Sequence, residues 1–161
     1  MDNVESDLSL GTPMANRNGN VASWCGCFEC EERFPTPWRF CCRRNGEISF
    51  MRGEIHCITL HDSFQCVVTN LDTLSTARHI AVTTTDSEKY KSMIENRNNR
   101  VWRHFAYKQF VNWVNSWSPT KRIGIALPSC VVKKIREAFP DENGYYEEIE
   151  VTTISEFDYF D

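Results

Sequence analysis

Trp24-Cys25-Gly26-Cys27-Phe28-Glu29-Cys30, then after ten residues Cys41-Cys42-Arg43-Arg44, and finally Cys57, is the stretch that decides the fold. Six of the eight cysteines lie in it, with Cys66 nearby and Cys130 far downstream in Leu127-Pro128-Ser129-Cys130. The region is rich in Cys, Gly and Pro and has no clear period, so irregular loops are expected. A small segment holds such loops only with a cross-link or a metal. The Cys25-x-Cys27-x-x-Cys30 spacing puts three sulfurs on one tight loop, with Gly26 allowing the bend. Cys41 and Cys42 are adjacent, so their side chains point apart and suit different ions. Cys57 supplies another sulfur, and Cys130 can close the site from the far end of the domain.

Zinc takes four ligands in a tetrahedron and accepts thiolates readily. Seven thiolates are too many for one ion, whereas two separate tetrahedra need eight positions. Seven cysteines with one shared sulfur fill eight, which makes a dinuclear cluster the preferred arithmetic. Its formal charge is −7 plus +4, or −3, and Arg43 and Arg44 stand beside it to offset part of that. An all-sulfur set makes a closed, structural site with no open water position. The competing reading treats the cysteines as small buried apolar residues. Core packing is the favoured reading for Cys66, inside Phe64-Gln65-Cys66-Val67-Val68. His56 can replace one sulfur or serve as an exposed or hydrogen-bonded loop histidine. Phe34, Trp38 and Phe40 are candidates to pack around the sulfurs.

At 161 residues and 25% charged, the chain fits one globular domain with tails. No apolar run reaches the length of a membrane span. The polar, acidic start lacks the pattern of a signal peptide. A cytoplasmic location is expected, where thiols stay reduced and clusters of cysteine bind metal more often than they form disulfides. The net charge of −4 argues against general nucleic-acid binding. Residues 141–161 hold eight acids and no Lys or Arg, whereas residues 97–136 are rich in both. Residues 1–22 read as a disordered leader, 23–146 as the domain and 147–161 as an acidic tail.

The expected fold class is α+β: a zinc-stabilised domain with an irregular cysteine-rich N-terminal half, then helices and a short β-sheet. Asp62 or Thr59 can cap a short helix through Val68, and Asn70 or Asp72 a second through about Ala81. Residues 83–97 read as a loop with a weak polar helix. Residues 99–117 form the clearest helix, because Trp102, Ala106, Phe110, Trp113 and Trp117 recur at spacings of three and four. Arg100, Arg103, His104 and Tyr107 fall on another face. Arg122 to Leu127 and Glu148 to Thr153 alternate and read as short strands. Pro128 opens a helix from Ser129 to Phe139.

Several motifs in one order carry a family resemblance. They are Trp-Cys-x-Cys-x-x-Cys, Cys-Cys-Arg and Cys-Ile-Thr, then Arg103-His104-Phe105-Ala106-Tyr107-Lys108-Gln109-Phe110, Leu127-Pro128-Ser129-Cys130, Ile135-Arg136-Glu137-Ala138-Phe139-Pro140 and Gly144-Tyr145-Tyr146. Over residues 23–146 the chain resembles the C-terminal cytoplasmic "ballast" domain of the ATP-gated purinergic receptor channel, subtype seven. The resemblance implies a compact α+β unit with a dinuclear zinc cluster on Cys25, Cys27, Cys30, Cys41, Cys42, Cys57 and Cys130. It also implies a guanine nucleotide, GDP or GTP, near Arg103, His104, Tyr107, Ile125 and Leu127. Arginine supplies forked donors for phosphate, and an aromatic ring can stack on a base. The family's basic positions after Leu-Pro-Ser-Cys and after Phe-Pro are Val132 and Asp141 here, and Glu147-Glu148 replace a small Ser-Gly step. Acids near a polyphosphate repel it.

The chain has no membrane helices, so the expectation is the zinc-bearing intracellular domain used alone or cut from a longer protein. Its role is then a non-enzymatic interaction or regulatory module with protein partners. One alternative is a nucleotide hydrolase built on Arg103 and His104, although no P-loop, GxSxG or HExxH motif is present. The other is a zinc-dependent nucleic-acid binder using the basic region.

Overall fold

Short polar side chains start the helices. Asn45 Oδ1 accepts the Ile48 N–H at 2.9 Å and opens α1, Gly46–Arg52. Asn70 Oδ1 accepts the Thr73 N–H at 3.0 Å and opens α2, Leu71–Thr84. Ser87 Oγ accepts the Tyr90 N–H at 3.1 Å and opens α3, Glu88–Ile94. Asn98 Oδ1 accepts the Val101 N–H at 3.0 Å and opens α4, Asn99–Ser116. Each cap satisfies an amide that the helix itself leaves without a carbonyl. Pro128 precedes α5, Ser129–Ala138, and its carbonyl accepts the first amides, from Val131 at 3.0 Å and Val132 at 3.1 Å.

The computed structural model describes residues 23–31, 40–117 and 127–146. The chain divides into two compact units, one formed by residues up to 61 with 126–133, the other by 62–125 with 134–161.

In the first unit, described from Ser23, the cysteine loop leads to a 3-10 turn at Cys42–Arg44, then α1 and a second 3-10 turn at Ile58–Leu60. Gly53 ends α1 at φ +64°, a backbone conformation that L side chains rarely adopt, and donates its N–H to Ser49 O at 3.2 Å. Ile48, Met51, Ile58, Leu127, Val131 and Val132 are buried with the sulfurs. Ser129 N–H donates to Phe40 O at 2.7 Å, fastening the start of α5 to the chain just before Cys41.

The second unit is built around α4. Residues 101–107 are all buried, so this part of the helix is enclosed on every side. Phe64, Phe110 and Trp113 form an aromatic group with ring centroids 6.2 to 6.4 Å apart. Arg78 of α2 donates to Ile94 O at 2.8 Å and Glu95 O at 2.6 Å, satisfying carbonyls at the end of α3.

The fold class differs from the α+β expectation. The described residues are helical and hold no sheet, only an isolated bridge residue at Glu31. The proposed strands at 122–126 and 148–153 lie outside the described residues, and Leu127 is buried without strand geometry. A six-residue alternation is weak evidence, because a strand exists only through a partner that the local pattern does not name.

The cysteine-rich half is also more helical than expected. Asn45 caps α1, a signal masked by the surrounding Cys and Gly. The helix anticipated through Val68 is a π-helical turn, Gln65–Thr69. Phe64 and Val68 face inward there, leaving Cys66 exposed instead of in the core. Residues 83–97 contain the end of α2 and the whole of α3. Phe34 and Trp38 lie outside the described residues, and Phe40 is half-buried. Among the described residues no helix is long and apolar enough to cross a membrane.

Candidate metal centre

The sulfurs meet within the first unit. Cys25, Cys27, Cys30 and Cys41 form one group of four, and Cys27, Cys42, Cys57 and Cys130 form another. In each group all four Sγ atoms lie within 4.8 Å of one another, and Cys27 belongs to both. Three sulfurs of the first group come from the Cys25–Cys30 loop. The second draws its sulfurs from that loop, the 3-10 turn after Cys41, the residue before Ile58 and the first turn of α5.

The spacing is that of a ligand set. Cys25 Sγ and Cys27 Sγ are 3.6 Å apart, and Cys27 Sγ and Cys30 Sγ are 3.8 Å apart. Sulfurs about 2.3 Å from a tetrahedral zinc have edges of about 3.8 Å. A disulfide would need about 2.05 Å, and all eight cysteines are free. Cys27, Cys30, Cys42, Cys57 and Cys130 have no solvent exposure and Cys41 has 1%. Cys25 is half-buried.

Backbone amides point at three of the sulfurs. Cys25 Sγ accepts amides from Phe28 at 3.1 Å and Cys30 at 3.4 Å. Cys41 Sγ accepts the Gly26 amide at 3.3 Å. Thr59 Oγ1 is 3.0 Å from Cys57 Sγ, and the Thr59 amide donates to the same sulfur at 3.5 Å. Donors aimed at a sulfur favour its ionised form. The bend places Phe28 at φ +71°, a strained position for a residue with a Cβ. A Cβ on Gly26 would stand 3.0 Å from Arg43 Cδ, a tight contact that the Arg43 side chain would have to relieve by shifting.

Crowding makes the sulfurs compete for protons. Contact with Cys130, then Cys25 and Cys27, holds the Cys30 thiol down to about 4. Cys57 is lowered by its contacts with Cys130, Cys27 and Cys42, and Cys41 chiefly by Cys25. Contact with Cys130 pushes Cys27 up, as do Cys25, Cys30, Cys41 and burial. Cys130 lowers Cys42, yet Cys41, Cys57 and burial prevail and push it up to about 12. Seven adjacent sulfurs, six of them buried, cannot all ionise unless positive charge enters among them. Arg43 and Arg44 are exposed, and Arg43 Nε donates to His56 O at 3.1 Å. His56 is an exposed loop residue beside Phe28, with Nε2 3.9 Å from Glu29 Oε2.

The expected nucleotide residues have a different setting. Arg103, His104 and Tyr107 are each 1% exposed, enclosed in the second unit where a separate polar face was expected. Arg103 donates to Phe139 O at 2.8 Å, and its guanidinium lies 4.9 Å from the Tyr146 ring centroid. His104 Nε2 is 2.9 Å from Tyr90 Oη. Burial first, then the charges of Lys108 and Arg100, lower the His104 pKa to about 3, so its imidazole is neutral at pH 7. Leu127 is buried in the first unit, and Ile125 lies outside the described residues.

Sequence reasoning missed Thr59 as a sulfur partner, although it stands two residues after Cys57. It also missed Tyr90, whose link to His104 joins α3 to α4 and has no local signature.

A helical scaffold gathering seven thiols into two four-sulfur groups defines a cysteine-cluster domain. Its sequence matches the model of the P2X purinoreceptor 7 intracellular domain over residues 2–150, and the chain belongs to that family. It is an intracellular domain by that membership. One relative is the P2X purinoceptor 7 of Mus musculus, 29% identical over 142 residues. That match takes in 85% of this chain and 21% of the mouse protein, so the chain spans about a fifth of this relative's length.

Proposed function

We propose that the seven cysteines bind two zinc ions, with Cys27 bridging them, and that these ions hold together the first unit of an intracellular regulatory and interaction module. The observation that carries this reading is the sharing of Cys27 Sγ between two four-sulfur groups. It distributes seven sulfurs over eight ligand positions. The donor set suits zinc in chemistry, number and spacing, and with every position taken by sulfur no water is left to activate. The bound metal supplies folding energy in place of chemistry, which supports a non-enzymatic role toward protein partners. Native mass spectrometry of the purified chain tests the proposal. Two zinc ions per chain are expected, and a single ion would refute the shared-sulfur assignment.

A second reading gives the second unit a guanine nucleotide. Its support is a cleft of about 450 Å³ at the start of α4, with Arg97, Arg100 and Arg103 in its wall. Asp141 and Glu142 line it too, and their charge opposes the phosphates. In the same mass spectra a retained GDP or GTP is the expected sign. Failure to saturate in a calorimetric titration with GDP, with no nucleotide retained, would exclude it.

A further inference from the structure

Cys57 and Thr59 form a two-residue clasp inside the first unit. Thr59 Oγ1 stands 3.0 Å from Cys57 Sγ, and the Thr59 amide donates to the same sulfur at 3.5 Å. Cys57 has no solvent exposure and Thr59 only 8%. The 3-10 turn at Ile58–Leu60 keeps the two in register. Leu60 N–H donates to Cys57 O at 3.0 Å and His61 N–H to Ile58 O at 3.1 Å, while Ile58 is fully buried and anchors the turn from within.

Which atom donates in the side-chain bond depends on the state of the sulfur. A thiol is a weak donor and a weak acceptor, whereas a thiolate has no proton and only accepts. A metal-ligating sulfur is a thiolate, so the Thr59 hydroxyl is then the donor. The bond becomes charge-assisted and gains strength. Four thiolates around one divalent ion leave excess negative charge. In the group of Cys27, Cys42, Cys57 and Cys130 every ligand is without solvent exposure. Donors built into the chain must answer that charge, because solvent does not. A buried hydroxyl by itself asks only for some partner. The convergence of two donors from one residue on one candidate ligand goes further than that demand.

We propose that Thr59 is a positioning residue of the metal centre: its hydroxyl donates to the Cys57 thiolate and so sets the affinity for the ion held by Cys27, Cys42, Cys57 and Cys130. The proposal rests on the two-zinc reading and deepens it. The hydroxyl fixes how Cys57 presents its lone pairs and offsets part of the ligand charge. Its effect is confined to one ion, because Cys57 belongs to one of the two groups. The other group has donors of its own, the amides aimed at Cys25 and Cys41.

The test titrates the zinc-loaded full chain with a chromophoric chelator and extracts the affinity of each ion. Thr59→Val keeps the branched shape and removes the side-chain donor. It should weaken one ion by about tenfold to a hundredfold and leave the other unchanged. Thr59→Ser, which keeps the hydroxyl, should hold both ions as wild type does. Cobalt(II) in place of zinc gives a second readout that a mere packing defect does not move. Loss of the donor raises the energy of the sulfur lone pairs. The sulfur-to-cobalt charge-transfer band should therefore lie at longer wavelength in Thr59→Val and stay in place in Thr59→Ser. A wild-type chain that takes fewer than two zinc ions would sink the two-zinc reading, and this proposal with it. Two ions in wild type, with both affinities unchanged in Thr59→Val, both weakened alike, no rescue by Thr59→Ser or an unmoved band, would overturn this proposal alone.

Discussion

The two units of this chain solve the same stability problem with different materials. The second uses ordinary burial: an 18-residue helix, α4, enclosed over a full run of its length and an aromatic group of Phe64, Phe110 and Trp113. The first has a seven-residue helix, two 3-10 turns and a bend with Phe28 at positive φ. Elements that short bury too little apolar surface to offset the entropy of ordering them. Its described interior instead mixes six buried cysteines with Ile48, Met51, Ile58, Leu127, Val131 and Val132. Where the chain supplies a long amphipathic helix, packing suffices. Where it supplies irregular loops, a cross-link must stand in, and seven converging thiols offer one.

Removing the shared sulfur should separate the two units most sharply. Cys27→Ser takes a ligand from both groups at once, so native mass spectrometry should show no more than one zinc. Hydrogen exchange should rise across α1 and Cys57–Leu60, while α4 keeps its protection. Cys66→Ser, at an exposed sulfur outside both groups, should leave two zinc ions in place. Loss of α4 protection in Cys27→Ser would break the contrast.

The converse change is Phe110→Ala. Phe110 is fully buried, and its loss should cost about 3–5 kcal/mol in urea denaturation. The zinc count should stay at two. A fall in metal content with this variant would argue that the sulfur unit depends on apolar packing after all.

Acid should weaken the second unit through His104. Its folded pKa of about 3 lies below the ordinary 6.5, so below pH 6.5 the unfolded state binds the proton more readily. Stability is therefore lost as pH falls from 6.5 towards 3, by about 1.4 kcal/mol per unit at the steepest. Acid also protonates the thiolates, so the difference between wild type and His104→Gln isolates this contribution. Equal acid slopes for the two proteins would remove His104 from the account.

The smallest effect distinguishes the caps. Asn98→Ala at α4 and Asn45→Ala at α1 should each cost about 1 kcal/mol by denaturant midpoint. If the proposed cluster and not the cap holds the first unit, Asn45→Ala should leave the zinc count unchanged.

Much of this was legible in the residues. Asn70 as a cap, α4 from its recurring aromatics and α5 after Pro128 all follow from signals carried within one or two helical turns. The cap at Asn45 was equally local but lay hidden among cysteines and glycines. Neither the isolated alternation before Pro128 nor the one in the acidic tail could establish a sheet, because pairing is a property of two segments.

By itself the sequence determined the donor chemistry: seven cysteines at spacings that suit thiolate ligands, and a count that would need one of them to serve twice for two zinc ions. Only the tertiary structure decided that Cys27 occupies both groups, that Cys130 joins Cys42 and Cys57, and that Arg103, His104 and Tyr107 are enclosed. The reason is physical. Spacing along a chain specifies which side chains can bend into one loop, whereas sharing and burial depend on distances between residues up to about a hundred positions apart, which only the packed backbone sets.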